Sequence, residues 1–414
     1  MHPALLLTAA LSAEPEVRGH IDWQAHPAMH IPWKVYGPGL TDKAPKESHK
    51  HAFSQTVSAD ALAGSGVRIF SAAAMAAEKA TSPEQARALV LEQLAYVEDF
   101  VAQHPDRFVL ARSPGEARRA LVETDKVVVV HAIEGGRMLL SGPEDARFWA
   151  EQGVSLVTLI HLLDDELGGS ASNPGFIGWM LNRDAARKRR KGQPRGLTER
   201  GKAAIVELHE AGILVDLTHM SPESIEDALA VTAAHGIPPV VTHGKLWDIH
   251  ATERGFSRAQ VVEIYRQGGV FNLVLSGTSL AAVDPSVPVP DNLCEGSIDS
   301  FAWHWNVLQD IVHDGIPTIF SMEADSPLTE AQQTALATGW ASDWNGGIGH
   351  TRPRYGRRGC TRRPAEPALP FDTVGLAHPG HLPDHWQRLE EQGIDLDPML
   401  RSAERFLQLW EQVQ

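Results

Sequence analysis

Cysteine, positive charge and long apolar runs are all scarce in this sequence. Its 414 residues include only two cysteines, Cys294 and Cys360, and their wide separation does not match the close spacing of cysteine metal ligands. Lys and Arg number 37 against 52 Asp and Glu, which gives a formal net charge of -15. This balance argues against a nucleic-acid partner, because no broad basic surface is available for phosphates. No run reaches the roughly 18 consecutive apolar residues of a membrane helix, so no transmembrane segment is predicted.

The first 16 residues, MHPALLLTAALSAEPE, have a short apolar centre followed by small residues. This arrangement is typical of a secretory signal peptide, with Ala10 and Ser12 at positions suited to cleavage. We therefore expect an exported protein, periplasmic or secreted. No Lys or Arg precedes the apolar run, so a cytoplasmic chain is the alternative. In an exported protein Cys294 and Cys360 have the option of forming a disulfide; otherwise both are ordinary thiols.

Strand-like apolar runs alternate with amphipathic helical runs over residues 17–414, with no internal repeat and no linker. The runs GVRIFSAAA and GGVFNLVLS are typical strands, and 196–212 and 221–236 have the spacing and N-terminal residues of helices. This alternation indicates an α/β protein with a parallel sheet and crossover helices. Eight strands are counted, so the prediction is a single (β/α)8 TIM barrel.

Two stretches interrupt this pattern, at residues 283–335 and 346–370. The first contains Pro, Asp and Cys and the helix-like WHWNVLQDIVHDG, and the second is rich in Gly, Arg and Pro. Both follow predicted strands. We therefore expect them to be long insertions at the C-terminal face of the barrel, where active-site lids are built.

Polar residues recur at the ends of the apolar runs. VVVVHAIE ends on Glu134, GVSLVTLIH on His161, GILVDLTH on His219, IPPVVTH on His243 and ALATGWASD on Asp343. A strand with both faces buried rarely carries a polar end unless that end faces a site. The carboxyl ends of barrel strands meet at one rim, and imidazoles and carboxylates are zinc ligands, so the pattern predicts a metal site there.

These motifs, in this order, resemble the membrane (renal) dipeptidases, peptidase family M19 of the amidohydrolase superfamily. The most specific stretch is GLTERGKAAIVELHEAGILVDLTHMSPES. AIEGG, GVSLVTLIH, PPVVTHG and ASDWNGG follow the same family pattern. The resemblance extends from about Val17 to the C-terminus.

The resemblance implies a pair of divalent metals, usually zinc, bridged by a carboxylate. Glu134 matches the bridging residue, and His219 and His243 match the ligands of one metal. Asp343 matches the last-strand aspartate that binds the other metal and handles a proton. Two metals lower the pKa of a shared water and polarise a carbonyl, and an aspartate at the rim transfers the proton to the leaving amine.

The resemblance also implies substrate contacts. His161 matches a histidine that contacts the reacting carbonyl region, and Arg254 matches a basic residue that holds the substrate carboxylate. Each has a simpler interpretation: His161 as a strand cap, with Asp164 and Asp165 as the important acids, and Arg254 as the partner of a surface carboxylate. His131, inside the third strand, is predicted to be structural.

The first strand departs from the family pattern of His, one residue, then Asp. In the preferred alignment Gln24 and His26 occupy the two positions as metal ligands, and Gln24 offers only a neutral amide oxygen. The alternative alignment takes His20-Ile21-Asp22 as the pair. Asn345 also stands where the family more often has a second acid.

The function predicted is hydrolysis of a dipeptide-like amide bond beside a free carboxylate, using one or two zinc ions. A non-catalytic barrel is a second hypothesis, because Gln24 weakens one metal site. Hydrolysis of a lactone or phosphoester on the same metals is a third. The partner expected is a small molecule. The sequence leaves open a homodimer, the side chains of the substrate and the identity of the metal.

Overall fold

Eight parallel strands close into a barrel in the computed structural model. Each strand pairs with the next along the chain, the eighth pairs with the first, and Asp216 faces Val240 where the fifth meets the sixth. The predicted (β/α)8 barrel is therefore confirmed. The strands are β1 His20–Ala25, β2 Val67–Met75, β3 Val127–Glu134, β4 Val154–Thr158, β5 Leu214–Asp216, β6 Val240–Leu246, β7 Val270–Val274 and β8 Trp340–Ala341.

The structure describes residues 16–29, 39–50, 57–76, 78, 80–172, 187–188, 191–281, 289–323, 326–362 and 368–414. The predicted signal peptide lies outside these residues except for Glu16. Parts of the basic run 187–191 and of the two predicted insertions also lie outside them.

Helices cover the outside of the barrel, and their bounds are α1 Ala59–Ala63, α2 Pro83–Gln103, α3 Pro114–Glu123, α4 Pro143–Glu151, α5 Glu199–Glu210, α6 Pro222–His235, α7 Arg258–Arg266, α8 Gly277–Ala281, α9 Ile298–Phe320, α10 Glu330–Ala335, α11 Pro370–Val374, α12 Leu382–Glu391, α13 Asp397–Leu400 and α14 Ser402–Val413. Both helices predicted from their spacing, 196–212 and 221–236, are present as α5 and α6. Each begins at a hydroxyl residue, Thr198 or Ser221, that accepts a hydrogen bond from a first-turn backbone N–H. None of the helices in the described ranges is long and apolar enough to cross a membrane.

Short strands complete the sheets. Leu40–Thr41 pairs with Val57–Ser58, Phe108–Ala111 extends the barrel sheet beside β3, and Gly255–Phe256 pairs with β6. The last of these pairings places Gly255 opposite Lys245. It therefore brings the neighbouring Arg254 to the mouth of the barrel.

The apolar core has an inner and an outer part because strand side chains alternate between the two faces. Inside the barrel, Ile21, Val130 and Leu156 belong to one buried cluster, and the C-terminal helix α14 contributes Phe406 and Trp410 to it. The larger cluster lies between the strands and the surrounding helices. The strand residues of the inner cluster fill the barrel below the polar strand ends.

The two predicted insertions are joined by a disulfide between Cys294 and Cys360, whose α-carbons are 5.6 Å apart. The pairing that the sequence left open is therefore present. Residues 283–335 also contain the 23-residue helix α9. The link ties the segment that leads into α9 to the Gly- and Arg-rich segment that follows β8.

Candidate metal centre

The polar strand ends converge at the carboxyl mouth of the barrel. Glu134 is the last residue of β3, and His243 lies within β6. His161 and His219 each follow the end of a strand by a few residues, and His219 has a left-handed backbone with φ of 72°. A non-glycine residue in this region is strained by about 1 kcal/mol or more, and such strain concentrates at functional sites.

Glu134 lies at the centre of this cluster, with a different pair of histidines on each carboxylate oxygen. Its Oε1 is 3.3 Å from Nε2 of His219 and 3.6 Å from Nε2 of His243. Its Oε2 is 3.0 Å from Nε2 of His26 and 3.4 Å from Nε2 of His161. The side chain is 4% exposed. One carboxylate can therefore serve two adjacent cation sites.

The first candidate cation site consists of Glu134, His219 and His243, whose potential ligand atoms all lie within 4.8 Å of one another. The Nε2 atoms of the two histidines are 2.9 Å apart. Burial lowers the pKa of both rings well below the ordinary histidine value, and the charge of Arg254 lowers it further. Both imidazoles are therefore neutral at pH 7, the form that binds a metal.

A buried hydrogen-bond chain orients His243 for this role. The Thr242 hydroxyl donates to Oδ2 of Asp216 at 2.7 Å, and its Oγ1 is 2.8 Å from Nδ1 of His243. Because that hydroxyl proton is committed to Asp216, Oγ1 accepts from the Nδ1–H of His243. The lone pair of the ring is then left on Nε2, facing Glu134.

A second candidate cation site is formed by His26, which contacts the other oxygen of Glu134, together with Asp343 and Gln24. Nε2 of His26 is 3.3 Å from Oδ1 of Asp343 and 3.4 Å from Nε2 of Gln24. Oε1 of Gln24 is buried without a hydrogen-bond partner. A buried amide oxygen with no donor nearby fits a cation. The residues present therefore suit a metal here, with a weaker ligand set than in the first site.

Electrostatics support a cation at this second position. Burial alone lowers the pKa of His26, but the charge of Glu134 and the contact with Asp343 outweigh it and raise the pKa to about 10. A proton on His26 thus balances the two carboxylates when no metal is bound. Burial raises the pKa of Asp343, and the charge of Glu134 raises it further.

Backbone hydrogen bonds between the ends of β1 and β8 bring these residues together. The N–H of Asp343 donates to the carbonyl of Gln24, and the N–H of His26 donates to the carbonyl of Trp344, both at 2.8 Å. Asp343 and Asn345 have positive φ angles of 53° and 64°. Asn345 is buried in the turn that follows Asp343. The turn chemistry of ASDWNGG therefore aims Asp343 at His26.

The structure places His26 beside Glu134 and Gln24 beside His26, whereas His20 and Asp22 contact other residues. The His20 ring stacks on Trp386 with centroids 4.7 Å apart. Asp22 is bound by the backbone N–H and hydroxyl of Ser342. The alternative alignment therefore puts its two residues away from the cluster.

Two basic residues lie beside the first cation site. Arg254 is 6% exposed, and its Nη2 is 3.3 Å from Nε2 of His219. Burial lowers its pKa to about 10. Burial and the charge of Arg254 lower the pKa of Lys245 to about 7. Within the described ranges neither residue forms an ion pair with a carboxylate.

The two other acids considered in the sequence analysis, Asp164 and Asp165, form contacts with other residues. Asp164 pairs with Lys188 at 2.9 Å, and Asp165 accepts hydrogen bonds from the backbone N–H groups of Leu167 and Gly168. His131 is fully buried within β3, where its Nε2 is 3.2 Å from Oε1 of Glu98.

The structure adds Glu78, Asp216 and Thr242 to the residues around the site, and sequence reasoning missed all three. Glu78 contacts His161, and the other two orient His243. Glu78 follows the end of β2 by three residues. The signal that identified the other site residues, a polar residue shortly after an apolar run, therefore applies to Glu78 as well. Asp216 and Thr242 carry no comparable signal, because each lies inside an apolar run.

Comparison with known proteins identifies related chains. The family model for membrane dipeptidase (peptidase family M19) matches residues 21–318. An uncharacterized dipeptidase of Schizosaccharomyces pombe is 24% identical over 180 residues, which are 44% of this chain and 39% of that protein. The matched part thus spans about two fifths of the length of this curated relative.

Solved structures share the fold at low sequence identity. A dipeptidase of family M19 superposes with a TM-score of 0.63 at 15% identity, covering 96% of this chain and 98% of that one. A metallo peptidase from Rhodobacter sphaeroides, liganded with a phosphinate mimic of the dipeptide L-Ala-D-Ala, gives 0.63 at 14% identity, with coverage of 96% and 100%. An amidohydrolase from Pseudomonas aeruginosa gives 0.60 at 14% identity, with 96% of each chain covered.

Proposed function

Because the chain belongs to the membrane dipeptidase family, peptidase family M19, we propose that it is a zinc-dependent dipeptidase that cleaves a small amide bond beside a free carboxylate. The observation that carries the proposal is the position of Glu134. Each of its two oxygens faces a separate pair of histidines, His219 and His243 on one oxygen and His26 and His161 on the other. This is the arrangement that a bridged pair of divalent ions requires.

We assign Glu134, His219 and His243 to one ion, and Glu134, His26, Asp343 and the amide oxygen of Gln24 to the other. A divalent ion held by these residues would supply a Lewis acid for the scissile carbonyl and for water. Zinc is the proposed metal because imidazole nitrogen and carboxylate oxygen are its ordinary ligands.

The protein side chains then handle protons and orientation. Asp343 takes a proton from the water that attacks the carbonyl carbon and returns it to the amide nitrogen as the C–N bond breaks. His161 contacts the carbonyl oxygen on which negative charge develops. Arg254, buried without a carboxylate partner, binds the free carboxylate of the substrate.

The test is metal analysis combined with a substrate panel. We expect purified protein to hold zinc, to lose activity on chelation and to regain it on zinc addition. The panel comprises L-Ala-D-Ala, other dipeptides, a C-terminally amidated dipeptide, a lactone and a phosphoester. Dipeptides should be cleaved and the amidated dipeptide spared, because Arg254 has no carboxylate to bind. Zinc-loaded, folded protein that cleaves none of the dipeptides would contradict the proposal.

The presence of Gln24 favours one alternative function, that of a barrel protein that binds metal and substrate but does not convert the substrate to product. An amide oxygen is a weaker zinc ligand than the imidazole that the family pattern has there. Binding of a dipeptide to zinc-loaded protein with no product formed is the result that this alternative predicts. Cleavage of the lactone or phosphoester alone would instead favour the third hypothesis.

We also propose that the protein works in an oxidising compartment, outside the cytoplasm. The disulfide between Cys294 and Cys360 supports this, since such bonds persist in periplasmic and secreted proteins. Thiol alkylation of protein taken directly from its native cells tests the location. We expect both cysteines to resist labelling until a reductant is added, and labelling without reductant would contradict it.

A further inference from the structure

A buried carboxylate outside the proposed ligand set contacts His161. Oε1 of Glu78 is 2.6 Å from Nδ1 of His161, and the two side chains are 8% and 9% exposed. Glu78 also accepts a hydrogen bond from the backbone N–H of Leu162 at 3.3 Å. The carboxylate is thus attached both to the ring of His161 and to the backbone beside it.

The contact determines which ring nitrogen of His161 faces the reaction centre. With Nδ1 beside the carboxylate of Glu78, Nε2 lies on the opposite side of the ring, within 3.4 Å of Oε2 of Glu134. A carboxylate beside Nδ1 keeps the proton on that nitrogen and restricts rotation of the ring. Without Glu78 the ring is free to adopt the other tautomer and to turn away from Glu134.

A second pair in the same barrel shows what a purely structural contact looks like. Oε1 of Glu98 is 3.2 Å from Nε2 of His131, but Glu98 is 35% exposed and also binds Arg112. His131 lies inside β3, before the strand reaches the mouth. Glu98 therefore stabilises a helix against a strand, whereas Glu78 is buried at the mouth and contacts a residue that itself touches Glu134.

We propose that Glu78 is a positioning residue for the hydrolytic reaction: it holds the His161 ring so that Nε2 faces the carbonyl oxygen of the substrate. This inference rests on the proposed function, and it adds a residue that acts only through His161. Because the substrate contact is made by His161, loss of Glu78 should affect turnover more than substrate binding.

The kinetic test compares Glu78→Ala, Glu78→Gln, His161→Asn and the double variant Glu78→Ala/His161→Asn in zinc-loaded protein. We expect Glu78→Ala to lower kcat by about 10- to 100-fold, with a much smaller change in KM and unchanged zinc content. Glu78→Gln keeps an acceptor for Nδ1–H and should recover part of the loss. In the His161→Asn background Glu78→Ala should have no further effect, because the two residues act as one unit.

Glu98→Ala is the matched control, since it removes the carboxylate partner of the structural His131. It should leave kcat unchanged. Equal activity in wild type and Glu78→Ala would overturn the proposal, and so would additive losses in the double variant. If Glu78→Ala does not fold, Glu78→Gln is compared with wild type, and Glu78→Gln/His161→Asn is compared with His161→Asn. These two comparisons also show whether Glu78 acts only through His161.

A spectroscopic measurement separates this inference from the proposed function. In 15N-histidine-labelled protein, the signals of His161 are identified by their loss in His161→Asn. We expect its Nδ1 signal to be that of a protonated nitrogen, and to change in Glu78→Ala but not in Glu98→Ala. An unchanged signal would overturn the role of Glu78 even in an active enzyme. Failure of the wild type to cleave any dipeptide would instead refute the proposed function and leave this readout intact.

Discussion

The carboxylate of Asp343 lies directly against the α-carbon of Gly346. A Cβ added at residue 346 would be 1.8 Å from Oδ1 and 2.8 Å from Oδ2 of Asp343. The N–H of Gly346 also donates to the carbonyl of Asp343 at 2.9 Å. The turn after β8 therefore needs glycine at this position to leave space for the carboxylate that faces His26.

Gly346→Ala should consequently displace the Asp343 carboxylate and lower kcat by about 100-fold, the cost of misplacing a reacting group by about 1 Å. Steady-state kinetics on a cleaved dipeptide measures this. Gly115→Ala is the control, because a Cβ there meets no atom within 4 Å. Equal kcat for Gly346→Ala and wild type would show that the Asp343 carboxylate can move without loss of activity, which contradicts this prediction.

Thr242→Val should weaken metal binding at the first site. Valine preserves the shape of the side chain but removes the oxygen that accepts from Nδ1–H of His243. The Nε2 lone pair is then no longer fixed toward Glu134. We expect the zinc affinity to fall by about 10- to 100-fold, measured by competition with a chromophoric chelator. Thr232→Val removes another buried hydroxyl, whose Oγ1 lies 3.0 Å from the carbonyl of Ala228 and 2.7 Å from Oε1 of Gln267, and its zinc affinity should match that of wild type.

Gln24→His should strengthen the second site. An imidazole replaces an amide oxygen that is a poor zinc ligand, so the affinity for the second ion should rise by about tenfold, or about 1.4 kcal/mol. Zinc titration followed by metal analysis checks the stoichiometry. Gln24→Leu, which offers no ligand atom, should bind the second ion more weakly than wild type. Identical titrations for all three proteins would remove Gln24 from the ligand set.

Acid should destabilise the protein through buried histidines below the barrel mouth. Burial lowers the pKa of His385 to about 3 and that of His20 to about 4. The unfolded chain takes up these protons near pH 6.5, whereas the folded protein does not. The contribution of these two rings to the free energy of unfolding is therefore fully present above pH 6.5. It falls by about 1.4 kcal/mol per ring for each pH unit below 6.5, until the pKa of the ring in the folded protein is reached.

His385→Phe tests this pH dependence. Both ring nitrogens of His385 are buried without a hydrogen-bond partner. Phe keeps the ring contacts with Phe301 and Trp386 and removes a group that acid would protonate. Urea denaturation at pH 7 and pH 4.5 should show a smaller loss of stability for His385→Phe than for wild type. His235→Phe, at an exposed position, should retain the full loss.

Much of the fold was predictable from local pattern. The alternation of buried apolar runs with amphipathic ones requires only neighbouring residues, so strands such as β3 and helices such as α5 and α6 were predicted close to their observed bounds. The order of the polar strand ends then predicted a barrel with Glu134, His219 and His243 at one mouth. These expectations depend on the periodicity of the chain and on the geometry of parallel strands, which are properties of short segments.

Other features were decided only by the tertiary structure. The sequence allowed either His20 and Asp22 or Gln24 and His26 to face Glu134, and hydrogen bonds between β1 and a strand more than three hundred residues away selected the second pair. The contact of Glu78 with His161 and the chain from Asp216 through Thr242 to His243 likewise join different strands. Local pattern gives the type and order of the elements, but closure of the barrel decides which side chains meet, because distances of a few ångströms between remote residues depend on the packing of the whole chain.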